Sequence, residues 1–282
     1  MLRKWILLLL VSSGWLLGCS TDDDNNALPN GDTVNKSANL LSAGESAGDI
    51  LSNNNFSNLL IEIAYVEGFR PTQEAMDAFE AYLRARTFKS IIEIQYNPLP
   101  SPNQESLTIQ EVANLEDDNR ENYNEGNTLA IYIYFADAPD DSDDEDSGLV
   151  TLGSVYRNTS MVIYEQTIRD LAAKSILISV ADVESATLNH EFGHLFGLVD
   201  LGTSMVNDHE DILLDDDGNP ELDNNGNPIG NSHCDVNGCL MRAELQFGGG
   251  IMGMLESRAA RGLAIPDLDA ECILDLQGNG GR

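Results

Sequence analysis

Hydrophobic and polar positions follow two different periods along the middle of the chain. Five short apolar runs rich in β-branched and aromatic residues predict strands, at residues 59–66, 90–96, 128–135, 150–156 and 160–165. Apolar positions spaced three or four residues apart predict helices, at residues 71–86, 108–120, 183–198 and 252–261. This order of elements favours an α+β fold in which a mixed sheet is backed by helices.

The first 50 residues differ from the rest in composition. Residues 1–18 carry the basic pair Arg3 and Lys4, then an apolar run too short to span a bilayer, and they end before Cys19. Residues 19–50 are rich in Asn, Ser, Gly and Asp and predict a disordered acidic tether. The folded domain is predicted at 51–282.

The N-terminal segment resembles a bacterial lipoprotein signal peptide, which implies cleavage before Cys19 and a lipid on its sulfur. A plain secretory signal is the alternative. The acidic tract after Cys19 is similar to that of surface-exported lipoproteins of the Bacteroidetes, which implies an outer membrane lipoprotein exposed at the cell surface. A tether that faces the periplasm is the other interpretation.

The chain is strongly acidic, with 47 Asp and Glu against 15 Lys and Arg and a formal net charge of −32. Such a polyanion repels nucleic acid, so no nucleic-acid partner is expected. The acidic excess suits divalent cations, and a structural calcium ion is one hypothesis. An acidic loop at 137–146 and a period-eight repeat at 214–229 are the places for it, although solvated loops and tandem tight turns are the favoured interpretation.

The motif with the most chemical content is His190-Glu191-Phe192-Gly193-His194. Histidines four residues apart on a helix point from one face, so both can bind one zinc ion. Glu191 lies next to His190 and can reach the open coordination position as a general base. The pattern predicts a zinc hydrolase.

Residues after the motif supply two main possibilities for a third ligand. Gly197 and Asp200 extend the motif to HExxHxxG with an acidic residue three positions on, and this resembles metzincin peptidases of the snapalysin type, which implies that Asp200 is a ligand. The segment from His233 to Met241 is similar to the HCxxxxCxM segment of archaemetzincins, which implies that His233 is the third ligand and that Met241 forms the Met-turn. His233 is preferred, Asp200 is the runner-up, and His209 is a further possibility that is more simply a solvated loop residue.

The resemblance implies a two-lobed metzincin-like fold, with an upper lobe at about 51–199 and a lower lobe at about 200–282. It also implies a zinc-dependent endopeptidase that acts on peptides or proteins, with the strand at 150–156 as the sheet edge that pairs with an extended substrate. The alternative is a lipid-anchored binding or adhesion protein with a structural zinc or calcium site. A fourth protein ligand on the zinc would favour that alternative.

Three cysteines remain beyond Cys19. Cys234 and Cys239 predict a short disulfide that braces the metal loop, with a second zinc as the alternative. Cys272 is expected in a terminal helix as a buried thiol.

Overall fold

The computed structural model describes residues 35–144, 150–215, 218–243 and 248–282. Residues from Asn35 to Arg282 form one compact unit. The strands are β1 (Asn58–Val66), β2 (Ile91–Leu99), β3 (Thr128–Phe135), β4 (Gly153–Arg157), β5 (Ser160–Ile163), β6 (Glu210–Ile212) and β7 (Gly230–Cys234). The helices are α1 (Ala47–Leu51), α2 (Gln73–Arg86), α3 (Ile109–Asn119), α4 (Glu165–Ala172), α5 (Val180–Leu195), α6 (Gly248–Ala259) and α7 (Ala270–Gly278), with a short 3-10 turn at Ser37–Asn39.

The main sheet has five strands in the order β2-β1-β3-β5-β4. The first four of these run parallel, and β4 is antiparallel to β5 at the edge of the sheet. The mixed sheet and its backing helices confirm the predicted α+β class. The edge position of the strand predicted at 150–156 is confirmed as well, since β4 has a sheet neighbour on one side only.

Both faces of the central sheet are covered. Ile131 and Ile133 of β3 point to a large core that also contains Phe79 of α2 and Phe192 of α5. Tyr132 and Tyr134 point to a second core against α3. Burial on both faces explains why β3 is a continuous apolar run, and its observed bounds equal the predicted ones.

Helix α5 begins earlier than predicted. The expected start was Val183, but Ser179 is the N-cap and its hydroxyl accepts from the Asp182 amide. Asp182 returns the bond, because its carboxylate accepts from the Ser179 amide at 2.8 Å. This reciprocal capping box satisfies two otherwise free amides at the N-terminus and fixes where the helix begins.

Helix α4 was not predicted, because Glu165 was taken as the end of a strand. The chain instead leaves the sheet at Ile163 and enters the helix at Glu165. Glu165 is fully buried, and it accepts a 2.6 Å hydrogen bond from Arg169 one turn later. A polar pair one helical turn apart, with its glutamate buried, gives no apolar periodicity, so the pattern did not reveal this helix.

The predicted tether boundary at residue 50 is wrong for the part that the structure describes. Residues from Asn35 onward pack on the domain, and Ile50 and Leu51 are fully buried. The buried Asn39 amide donates to the Ala130 carbonyl at 3.1 Å and to Thr159 at 3.1 Å. Side-chain hydrogen bonds of this kind hold a polar segment in place without the apolar periodicity on which the prediction relied. The expected signal peptide, Cys19 and the first part of the tether lie outside the described residues.

Between α5 and His233 the chain makes an excursion away from the site. Strands β6 and β7 pair there in antiparallel fashion. Among the described residues of the two repeat units, the Gly218 amide donates to the Asp215 carbonyl at 2.9 Å and the Gly226 amide to the Asp223 carbonyl at 3.0 Å, as expected for the predicted tight turns. Main-chain hydrogen bonds join Leu213, Glu221 and Ile229, which are spaced eight residues apart, in a closed ring: each donates to one of the other two and accepts from the third, at 2.9 Å. The excursion therefore returns to its starting point through its own backbone.

Within the described ranges, no helix has the length and apolar character needed to cross a bilayer.

Candidate active site

Helix α5 and strand β7 bring three histidines together. The ring centres of His190 and His194 are 5.0 Å apart, and the His233 ring lies 5.3 Å from the first and 5.1 Å from the second. One nitrogen from each ring can be chosen so that all three lie within 4.8 Å of one another. All three residues are buried.

Main-chain carbonyls orient two of the rings. His190 Nδ1 lies 2.7 Å from the Leu240 carbonyl oxygen, and His233 Nδ1 lies 2.7 Å from the Asn231 carbonyl oxygen. Each carbonyl favours the tautomer that carries the proton on Nδ1 and the lone pair on Nε2. His190 Nε2 is buried and has no hydrogen-bond partner among the described residues. These three donors fit a zinc ion, because an unpaired buried nitrogen is costly unless a ligand satisfies it.

The electrostatic setting keeps the rings of His190 and His194 neutral. Burial, together with the neighbouring His233, lowers the pKa of His190 to about 3. Burial also holds the pKa of His194 well below its ordinary value, with added effects from His190 and His233. Neutral imidazole is the form that binds a metal ion.

Glu191 is fully buried on the same helix. Neither carboxylate oxygen accepts a hydrogen bond of regular geometry from a described residue. Burial raises the pKa of Glu191 to about 8, and the backbone of Val155 in β4 acts in the opposite direction. A carboxyl group in this setting exchanges a proton near neutral pH, which is the property that a general base requires.

Asp200, the runner-up ligand, does not join the three histidines. The chain takes a left-handed backbone at Gly197 and again at Val199 and Asp200, with φ of 70°, 55° and 57°. This turn leaves the side chain of Asp200 exposed. The carboxylate is therefore not part of the donor group, and His233 takes the third position.

His209 also lies outside the histidine group, but it is not the solvated loop residue that was expected. It is only 3% exposed, and its Nε2 lies 3.6 Å from Cys272 Sγ and 3.6 Å from a carboxylate oxygen of Asp275. The polar sequence around His209 gave no indication of this burial, because the contacts come from α7, more than 60 residues later.

Met241 is fully buried and packs against α5. A β-carbon at Gly193 would collide with the Met241 sulfur. The glycine inside the HExxH motif therefore allows the methionine to pack directly on the helix that carries both histidines.

A second group of possible metal ligands lies behind Leu240. It consists of Cys234, Cys239, Asp269 and Cys272, whose donor atoms all lie within 4.8 Å of one another. The predicted Cys234–Cys239 disulfide is wrong, because all three thiols are free, and Cys239 Sγ lies 3.6 Å from Cys272 Sγ. Hydrogen bonds from Cys234 and Cys272 lower the pKa of the Cys239 thiol. Three soft donors and a carboxylate are a suitable set for zinc.

Asp269 is the member of this group that the sequence did not reveal. It is the N-cap of α7, and its carboxylate accepts from the Cys272 amide at 2.9 Å. Its only sequence signal is the spacing Asp269-x-x-Cys272, which is also the spacing of an ordinary helix cap.

Neither acidic loop contributes to a metal-binding group in the part of the chain that the structure describes. The turn carboxylate of Asp223 instead accepts from the Asn225 and Asn227 amides at 2.8 and 2.9 Å. The calcium hypothesis therefore has no support here.

No family model and no curated protein matches the chain. Among solved structures, the chain is similar to the crystal structure of archaemetzincin from Methanopyrus kandleri, with a TM-score of 0.46 and 14% sequence identity. The match covers 79% of this chain and 96% of that chain.

Proposed function

We propose that the protein is a zinc-dependent endopeptidase. The observation that carries the proposal is the cluster of His190, His194 and His233, with donor atoms within 4.8 Å of one another, together with the buried carboxylate of Glu191 on the same helix. Peptide as the substrate rests on the resemblance of HExxHxxG and HCxxxxCxM to metzincin sequences.

The three histidines would hold the ion and leave a coordination position open. A zinc ion bound in this way supplies water activated for attack near neutral pH. Glu191 accepts the proton of that water at its carboxylate and then donates it to the amine of the leaving group. The Leu240 and Asn231 carbonyls keep the His190 and His233 rings in the ligand tautomer.

Strand β4 is the proposed substrate platform. Its outer side has no neighbour in the sheet, so an extended peptide can add there by main-chain hydrogen bonds. This mode of binding accepts many side chains, because the affinity comes from the backbone.

The donor count argues against a purely structural zinc at the histidines. Four protein ligands are the rule at closed structural sites, whereas three ligands leave room for water. Asp200 is exposed and outside the group, so it does not supply a fourth ligand. We assign the structural role instead to the group of Cys234, Cys239, Asp269 and Cys272, as a second zinc site.

The test is a Glu191→Gln variant of the full chain, assayed on a mixed peptide library. We expect loss of cleavage with zinc content unchanged, because glutamine keeps the shape of glutamate and cannot accept the proton. Unchanged turnover would refute Glu191 as the base.

The third ligand is tested by His233→Ala, with Asp200→Ala as its matched control. We expect the histidine variant to lose one zinc per chain and the aspartate variant to keep its zinc. Loss of zinc only in the aspartate variant would reverse the assignment.

We also propose that Cys19 carries a lipid that anchors the enzyme in the outer membrane, facing the cell exterior. The support is the sequence of residues 1–24 alone.

A further inference from the structure

Gly153, the first residue of β4, lies directly against the side chain of Glu191. A β-carbon at Gly153 would stand 2.7 Å from Glu191 Cγ, 3.1 Å from Glu191 Cδ and 3.1 Å from Thr187 Cγ2. The backbone of Gly153 is not in the left-handed region that favours glycine. Glycine is therefore required at this position because a side chain has no room beside Glu191 and Thr187, and not because of the backbone conformation.

Thr187 and Glu191 lie one helical turn apart on α5, so they share a face of the helix. Both are fully buried. The Thr187 hydroxyl, like the Glu191 carboxylate, has no hydrogen-bond partner of regular geometry among the described residues. Polar groups left in this state in a native core usually serve a function that the resting structure does not display.

The backbone of β4 reaches Glu191 at a second point. Val155 lies two residues after Gly153, so it is on the same face of the strand, and its backbone lowers the pKa of the Glu191 carboxyl. One short strand thus borders the aliphatic part of Glu191 at Gly153 and the carboxylate at Val155.

We propose that Gly153 is a positioning residue for Glu191, an inference that rests on the proposed peptidase function. Because Gly153 has no side chain, Glu191 lies against the β4 backbone, and the Thr187 methyl group borders the same space. Any side chain at residue 153 would push the carboxylate away from the place where it meets the water. The same strand would then hold the peptide along its outer edge and the base on its face, which fixes one relative to the other.

The packing relation is tested by a double-mutant cycle on the stability of the full chain. Gly153→Ala is expected to lower the urea midpoint of unfolding, because its methyl group meets Glu191 Cγ. In the Glu191→Ala background, which lacks Cγ and Cδ, the same substitution should cost much less. An equal loss in both backgrounds would overturn the proposal. Failure of Gly153→Ala to fold, with the double variant folded, would support it.

The positioning role is tested by kinetics on a peptide substrate. A displacement of about 1 Å at a reacting group can lower a rate about 100-fold, so we expect kcat of Gly153→Ala to fall by that order. KM and bound zinc should stay within about twofold, because a loss confined to the transition state lowers kcat alone. Gly253→Ala is the control, since a β-carbon at Gly253 meets nothing within 4 Å.

Partial rescue distinguishes positioning from general damage. Thr187→Ser removes the Cγ2 methyl group that a β-carbon at residue 153 would meet at 3.1 Å. The new methyl group of Gly153→Ala can then shift away from Glu191, so the second substitution should restore part of kcat. An unchanged kcat for Gly153→Ala would overturn the positioning role even if the stability cycle reveals the contact. If the wild-type enzyme cleaves no peptide, the proposed function and the catalytic role of Gly153 both fail, and the stability cycle still decides whether the two residues pack together.

Discussion

The Nδ1 atom of His190 lies 2.7 Å from the carbonyl oxygen of Leu240, the residue between Cys239 and Met241. The Leu240 amide in turn donates to the Asp267 carbonyl at 2.9 Å, two residues before Asp269. One peptide segment therefore joins the histidine group to the thiol group.

This connection predicts that the two metal sites affect each other. Cys272→Ser removes a donor of the thiol group, which is separate from the group of His190, His194 and His233. We expect it to weaken cobalt binding at the histidine group by about 10- to 100-fold, because the Leu240 carbonyl loses its fixed position. Thiolate charge-transfer absorption distinguishes cobalt at the thiol site from cobalt at the histidines, and Ser257→Ala on the surface of α6 serves as control.

The converse variant makes the prediction stricter. Coupling between two binding sites is reciprocal, so we expect His194→Ala, which removes a donor of the histidine group, to weaken cobalt binding at the thiols as well. If the cobalt affinity of each group is unchanged by the substitution in the other group, the connection through Leu240 is contradicted.

A second prediction concerns the buried carboxyl of Glu165. Burial, together with the nearby Glu184 of α5, raises its pKa to about 9. An unfolded glutamate has a pKa of about 4.3, so between these two values the folded chain binds a proton that the unfolded chain lacks. The stabilisation that this group gives is fully present at a pH below the unfolded-state pKa. It is lost as the pH rises through the folded-state pKa, by up to about 1.4 kcal/mol per pH unit.

Glu165→Gln should therefore flatten the fall in unfolding free energy between pH 6 and pH 8, as measured with urea. Glu80→Gln is a matched control, since Glu80 also pairs with an arginine one turn later but on the surface. A slope that does not change in the Glu165 variant would mean that this carboxyl is ionised in the folded protein.

A third prediction follows from the packed segment before β1. A chain that begins at residue 52 lacks Ile50 and Leu51 in the core, at about 1.5–3 kcal/mol for each side chain, so its unfolding midpoint should lie below that of a chain that begins at residue 35. Equal midpoints for the two shortened chains would show that residues 35–51 add nothing to the core.

A fourth prediction concerns the N-terminal cysteine. Cys19→Ser should move the protein from the membrane fraction to the soluble fraction, because a serine oxygen cannot take the place of the lipidated sulfur. Fractionation of cells that express each form measures this, and Cys272→Ser is the control for loss of a cysteine as such. Retention of the Cys19 variant in the membrane pellet would contradict the lipid anchor.

Local patterns in the sequence predicted much of the fold and less of the candidate site. The run from Thr128 to Phe135 gave a strand with correct bounds, because burial on both faces leaves an unbroken apolar signature. The HExxH spacing placed two histidines and Glu191 on one helix for a similar reason, since the geometry of one helical turn is local.

Contacts between distant segments could not be predicted in this way. Asp269 joins the cysteines only because α7 packs behind the loop that carries Cys239. The close approach of Gly153 to Glu191 depends on how a strand crosses a helix. The sequence offered both Asp200 and His233 as third ligands, and only the path of the chain after Gly197 distinguishes them.

The ring of hydrogen bonds among Leu213, Glu221 and Ile229 has a consequence for the spacing between His194 and His233. Because these hydrogen bonds hold Leu213 next to Ile229, the chain returns to the site four residues before His233, however many residues lie between Leu213 and Ile229. The number of residues between His194 and His233 can therefore vary while the backbone enters the site along the same path. A motif defined by fixed intervals between the histidines would not detect such a protein.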